Sequence, residues 1–241
     1  MRILSFGISC LLAISISACG SSAKLSVVDG MGPQPQLPAP KQSLLPTVHI
    51  ATAVGWPAGG KPLAAPGLAV NLYADQLQHP RWMHALPNGD VLVAESNAPA
   101  TSKEARSVRN WITSKFMAKA GAGVASANRI LLLRDLNKDG VVDLKTVFLQ
   151  GLHSPFGMAL VGNDLYVANT DAVVRYAYMP GQTEITDKGT KVLDLPAGST
   201  NYHWTKNIIA SQDGTQLYIT VGSNSNIGER GMDNEEGRAA S

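Results

Sequence analysis

One pattern occurs three times in this chain, and it limits the fold more than any other feature. Leu77 to Glu95 reads LQHPRWMHALPNGDVLVAE, and Leu152 to Asn169 reads LHSPFGMALVGNDLYVAN. Asn201 to Asn226, NYHWTKNIIASQDGTQLYITVGSNSN, is the third copy. Each copy has a polar entry, an apolar strand, a turn rich in Asn, Asp or Gly, and a second strand of alternating β-branched or aromatic residues. Asn88-Gly89 reads as a two-residue hairpin turn, and Gln212-Asp213-Gly214-Thr215 as the break in the third copy. Val91 to Leu165 is a step of 74 residues and Leu165 to Leu217 a step of 52. The longer step holds a polar, Ala-rich insertion from about Ala98 to Ala127. Without it, both steps approach the ~40–50 residues of one β-propeller blade.

The segments between the copies also read as strands. Leu68 to Tyr73 alternates, Asn128 to Leu133 reads as a buried strand, and Lys145 to Leu149, Ala172 to Tyr178 and Lys191 to Pro196 complete the set. Pro180-Gly181-Gln182 reads as a turn. Ser102 to Ala120 is the helical candidate, with Val108, Trp111, Ile112, Lys115 and Phe116 at helical spacing; Trp111 and Phe116 are expected to pack on a neighbouring blade. The fold class is therefore all-β, a β-propeller of which about half the blades are expected here, since three repeats do not close a ring of roughly 4–8 blades. Such an open stack leaves strand edges and an apolar face uncovered.

The N-terminus reads as a targeting segment. Arg2 precedes an apolar run from Ile3 to Ile16, shorter than the ~20 residues of a bilayer span. Ile16-Ser17-Ala18-Cys19-Gly20 resembles a bacterial lipobox, which makes Cys19 the lipidation site and residues 1–19 the signal peptide. Cys10 lies in the discarded part. Residues 20–48 are rich in Pro, Ser and Gln and read as a tether, leaving 49–241 as the propeller portion. The expected location is the periplasm or cell envelope, with membrane contact through the lipid alone. A net charge of +2 without Lys/Arg clusters argues against a nucleic-acid partner.

Several polar groups invite a functional reading. His203 stands at the head of a strand; the bland alternative is a strand-end histidine bonded to a loop. His84 and His153 lie beside strands in the earlier copies and read as structural or channel-lining. Asp135, Asn137, Asp139 and Gly140 open like a calcium loop, but the twelfth position is Thr146 and no helix flanks it, so a polar hairpin turn is the favoured reading. Glu229, Asp233, Glu235 and Glu236 form an acidic loop that reads as a solvated surface.

Taken together, three segments are similar to the sorbosone dehydrogenase family, quinoproteins related to soluble glucose dehydrogenase. They are NRILLLRDLNKDGVVDLKTVFLQGLHSPFGMAL, GNDLYVANTDAVVRYAY and HWTKNIIASQDGTQLYITVGSNSN. The resemblance spans roughly Leu68 to Arg238 and is sharpest in Ser154 to Met158 and Gly222 to Asn226. It implies a six-bladed propeller using pyrroloquinoline quinone (PQQ) and calcium to oxidise a sugar or aldehyde, with a quinone or cytochrome as electron acceptor. It also implies that His203 is the base that takes the substrate hydroxyl proton as hydride passes to the quinone. In the glucose dehydrogenases an acid precedes this histidine and another follows the strand-ending glycine; here Tyr202 and Ser223 stand there. The groups that grip the quinone and ligate calcium are expected beyond Ser241, so this piece alone is expected to be inactive. Two other readings stay open: a calcium-dependent six-bladed lactonase, suggested by Asn169, Asn207 and Asn224 near strand ends, and a non-catalytic surface propeller.

Overall fold

The computed structural model describes residues 25–36, 50–99, 108–198, 201–225 and 231–238. The chain divides into two units, Met1–Ala51 and Thr52–Ser241. In the first, residues 25–36 are exposed and hold one 3-10 turn, Val27–Gly30, capped by Ser26 Oγ, which accepts from the Val28 N–H at 3.3 Å. The lipobox, Cys19 and most of the tether lie outside the described residues.

The second unit is built of antiparallel sheets. The first sheet is the meander β1 (Pro80–Ala85), β2 (Val91–Glu95), β3 (Arg129–Arg134) and β4 (Leu144–Leu149). The second is β5 (Met158–Val161), β6 (Asp164–Ala168), β7 (Ala172–Ala177) and β8 (Thr190–Asp194), in sequence order. The third pairs β9 (Ile208–Ala210) with β10 (Leu217–Ile219). Each sequence repeat is thus the opening hairpin of one sheet. Four-stranded meanders are the unit of a propeller; the described residues show no closed ring.

Side chains alternate along each strand, so a strand apolar at every position needs cover on both faces. That explains the run Ile130-Leu131-Leu132-Leu133. Ile130 and Leu132 join Leu92, Ala94 and Phe148 against Met158, Leu165, Val167 and Tyr176 of the second sheet. Leu131 and Leu133 join Val93 on the opposite face, under Tyr73, Ala74 and Leu77. The second sheet repeats this logic. Tyr166, Ala168 and Val173 turn to the third sheet and meet Ile208, Leu217 and Ile219. Ile209 and Tyr218, on the other face of the third sheet, are 60% and 54% exposed, as an uncovered end of a stack requires.

Three local expectations need correction. Leu68 to Tyr73 is not a strand: no strand is assigned there, and Leu68 and Leu72 are exposed. Alternation alone cannot make a strand without a partner ladder, and here Tyr73 O accepts one bond, from the Val142 N–H at 3.0 Å. The first hairpin does not turn through two residues. Gly89 N–H donates to Leu86 O at 2.9 Å, Leu86 N–H to Asp90 O at 2.8 Å, and Gly89 has φ +92°. Pro87 would flank a two-residue Asn88-Gly89 turn and has no N–H to bond back across it, so Leu86 and Asp90 close the loop instead, with three residues between them and glycine in the left-handed position. The helix α1 spans Val108–Lys119, yet Phe116 is 52% exposed instead of packed. The faces of the first sheet are already filled by the clusters just described. The Trp111 side chain lies outside the described residues.

The second and third sheets meet most closely at the head of β5. Gly157 N–H donates to Lys206 O at 3.0 Å. A Cβ on Gly157 would sit 2.5 Å from Ile208 N and 2.8 Å from Asn207 Cα, both backbone atoms that cannot step aside. Gly157→Ala must therefore push the two sheets apart. The expected cost is about 2–3 kcal/mol, read as a lowered urea midpoint.

Candidate functional site

The heads of the inner strands β1, β5 and β9 come together. The Arg81 guanidinium lies over the Trp204 ring, 5.3 Å from its centroid, and Trp82 packs on Phe156 at 5.2 Å. Arg81 also donates to Ser96 O at 3.4 Å and Asn97 Oδ1 at 3.2 Å. Residues from all three sheets therefore share one polar and aromatic rim, at the strand ends where binding groups are usually presented.

The hydrogen-bond ladder puts two histidines in equivalent places. Gly157 and Ala168 bond across the second hairpin, and Asn207 and Thr220 across the third. Counting back, His153 matches His203; counting forward, Asp171 matches Ser223. His153 Nδ1 lies 2.8 Å from Asp171 Oδ2. His203 Nδ1 lies 2.7 Å from Ser223 O. A carbonyl can only accept, so this contact puts a proton on Nδ1, and in the neutral ring Nε2 is the acceptor. No described residue holds that Nε2, and the side chain is exposed. Its Cβ rests on Gly222, where an added Cβ would come within 2.6 Å. His84, inside β1, is pushed below its ordinary value by burial and stays neutral at pH 7.

Beneath His203 lies a buried cationic pair. Lys206 is fully buried, and its Nζ donates to His203 O at 3.2 Å and Asn201 Oδ1 at 3.5 Å. Arg238, also buried, donates to Asn201 Oδ1 at 3.2 Å, Gly222 O at 3.5 Å and Ala197 O at 2.7 Å. Asn201 in turn donates to Thr170 Oγ1 at 2.8 Å, which donates to Trp204 O at 3.0 Å. The pair ties the entry and exit of the third hairpin to the second sheet.

The acidic loop needs a correction as well. Asp233 and Glu236 are exposed, and Glu229 lies outside the described residues. Glu235 is half-buried and takes three bonds, from Ser223 Oγ (2.9 Å), Asn224 N (2.7 Å) and Ser225 Oγ (2.8 Å). The Asn224 amide and the two hydroxyls, with the nearby Arg238 charge, hold its carboxyl below the usual value. A lowered folded value means that this ordering is present at neutral pH and is lost as pH falls through that value.

The other candidates are committed locally. The Asp135–Asp143 loop joins β3 to β4 through its own carboxylates: Asp135 accepts from the Lys138 and Gly140 N–H, Asp139 from Val141 and Asp143 from Leu136. Thr146 is inside β4. Asn169 Oδ1 accepts from the His153 N–H and Asn207 Oδ1 from the Ile208 N–H; Asn224 Oδ1 is buried without a partner. Among the described residues, no three of His, Cys, Asp or Glu are grouped to hold a metal.

Sequence reading missed Lys206, Arg238, Asn201 and Asp171. Aligning the repeats by their turns would have matched Asp171 with Ser223. Nothing in the sequence marks Lys206, which looks like a solvated charge among polar neighbours.

Burial and the Arg238 charge push the Lys206 ammonium down to about 8. The unfolded chain then binds more protons than the folded one between about 8 and the ordinary 10.5. Stability from this group therefore rises with pH across that window. Urea midpoints should show this gain in the wild type and lack it in Lys206→Met.

Residues 116–240 match the model of the TrAA12-like family. Among curated proteins, no relative matches the chain. Solved structures similar to it include the holo PQQ domain of pyranose dehydrogenase from Coprinopsis cinerea, 19% identical with a TM-score of 0.46, covering 69% of this chain and 33% of its own. The iodide structure of Trichoderma reesei Carbohydrate-Active Enzymes Family AA12 is 17% identical with a TM-score of 0.49, and its calcium structure 20% identical with a TM-score of 0.47. Both cover 71% of this chain and 37% of their own. The chain spans about a third of the length of these structures.

Proposed function

Because the chain belongs to the TrAA12-like family, we propose that it is part of a PQQ-dependent dehydrogenase that oxidises a sugar or aldehyde. The observation that carries this reading is His203, with Nδ1 occupied by a backbone carbonyl, Nε2 bare and the side chain exposed. In the neutral ring, an exposed nitrogen with a lone pair to accept a proton suits a general base. PQQ, when bound, accepts the hydride. His203 Nε2 takes the hydroxyl proton, so the substrate loses a hydride and a proton and becomes a carbonyl compound. The imidazolium so formed keeps its Nδ1–H on Ser223 O.

The residues present fit one side of such a site: a bare imidazole and a buried, unpartnered amide oxygen on Asn224. Among the described residues, none is assigned to grip the cofactor and no acidic or histidine cluster is grouped to ligate calcium. The narrower assignment to the sorbosone dehydrogenases rests on the SPFGM and GSNSN segments. Calcium, a quinone or cytochrome acceptor, and envelope anchoring through Cys19 belong to the same proposal. The lactonase reading loses ground because two of its three asparagine oxygens already bind backbone amides.

The test uses an enzyme of the relatives' full length carrying this segment, reconstituted with PQQ and calcium. Dye-linked oxidation of an aldose or aldehyde is expected, and His203→Ala should lower kcat by about 10²–10⁴-fold. Lactone hydrolysis without PQQ, or a His203→Ala variant of unchanged turnover, contradicts it.

A further inference from the structure

The peptide group between Ser223 and Asn224 is bonded at both ends. Its carbonyl oxygen accepts from His203 Nδ1 at 2.7 Å, and its N–H donates to Glu235 Oε2 at 2.7 Å. A carboxylate and an imidazole thus occupy opposite ends of one amide. An amide is a resonance-coupled unit. Donating the N–H to a carboxylate raises electron density on the carbonyl oxygen and makes it a better acceptor, a cooperative gain of roughly 10–30% per bond.

His153, at the matching place in the second sheet, has a carboxylate directly on Nδ1, from Asp171. His203 has Ser223 at that position and no carboxylate in direct contact among the described residues. Glu235 supplies one at a distance of one peptide. Its other oxygen, Oε1, accepts from both serine hydroxyls, so the carboxylate is fixed relative to the amide it faces.

We propose that Glu235 is the remote carboxylate of His203, acting through the Ser223–Asn224 peptide to hold the Nδ1–H tautomer and to stabilise the imidazolium. This rests on reading His203 as the base. Glu235 is a positioning residue: it touches neither substrate nor imidazole. A loop clamp alone would need the hydrogen bonds but not the negative charge, and that difference can be measured.

Glu235→Gln keeps an acceptor for the Asn224 N–H and removes the charge. Nitrogen-15 NMR of histidine-labelled protein reads the tautomer of His203 directly. The wild type should show Nδ1–H, with that proton far downfield. In Glu235→Gln the proton should move upfield and the Nε2–H form should grow several-fold, with circular dichroism unchanged; Glu235→Asp should restore much of the wild-type signature. An unchanged His203 spectrum in Glu235→Gln overturns the proposal. If that variant does not fold, an acid titration of the wild type decides. The His203 Nδ1–H and Asn224 amide protons should move together as Glu235 takes up its proton, and independent movement overturns the relay. The base reading fails separately. An unmoved ring in Glu235→Gln beside a His203→Ala variant without turnover sinks the relay alone. A shifted ring beside an active His203→Ala variant sinks the base.

Discussion

The contact between the heads of β5 and β9 is the constraint on which the rest depends. Gly157 N–H reaches across to Lys206 O, and the backbones approach so closely that no side chain fits at Gly157. This contact sets where the third hairpin begins relative to the second sheet. Lys206 then holds His203 O from below, and His203 rests on Gly222. The position of the imidazole, in a turn ahead of β9, follows from backbone packing between sheets more than from the strand that comes after it.

A polar price accompanies this arrangement. Lys206 and Arg238 are both buried, and their hydrogen bonds run to carbonyls and to the Asn201 amide oxygen. Burial without a directly bonded carboxylate costs stability, which appears as the lowered lysine value. Glu235 stands nearby but spends its oxygens on the Ser223–Ser225 loop. The first sheet does the opposite: Asp90 and Arg134 bond through two contacts of 2.7 and 2.6 Å, and that guanidinium chiefly holds the Asp90 carboxyl below its ordinary value. The uneven treatment of charge separates the rim around His203 from the structural turns elsewhere.

Much of the architecture was legible because its signals are local. Alternation, β-branched strands and Asn/Asp/Gly turns marked the opening hairpin of each sheet. The run Ile130 to Leu133 announced a strand covered on both faces. What failed depended on distant partners. Leu68 to Tyr73 alternates but lacks a ladder, and Phe116 has helical spacing but no vacant face to fill. Pro87 was a local signal overlooked beside Asn88-Gly89. At the site, His203 was singled out by its expected place at a strand head and by family resemblance; the structure puts it in a turn five residues ahead of β9. Its support was not legible, because Ser223 offers a main-chain oxygen that no side-chain pattern reveals. Glu235 reaches back to that loop from twelve residues on, within a run of acids that looks solvated.

The most direct test of the account is a crystal structure of an enzyme carrying this segment, bound to PQQ and a substrate analogue. His203 Nε2 is predicted to lie within hydrogen-bond distance of the analogue's hydroxyl, with Nδ1 still on Ser223 O. An imidazole facing bulk solvent, with another residue on that hydroxyl, would contradict it.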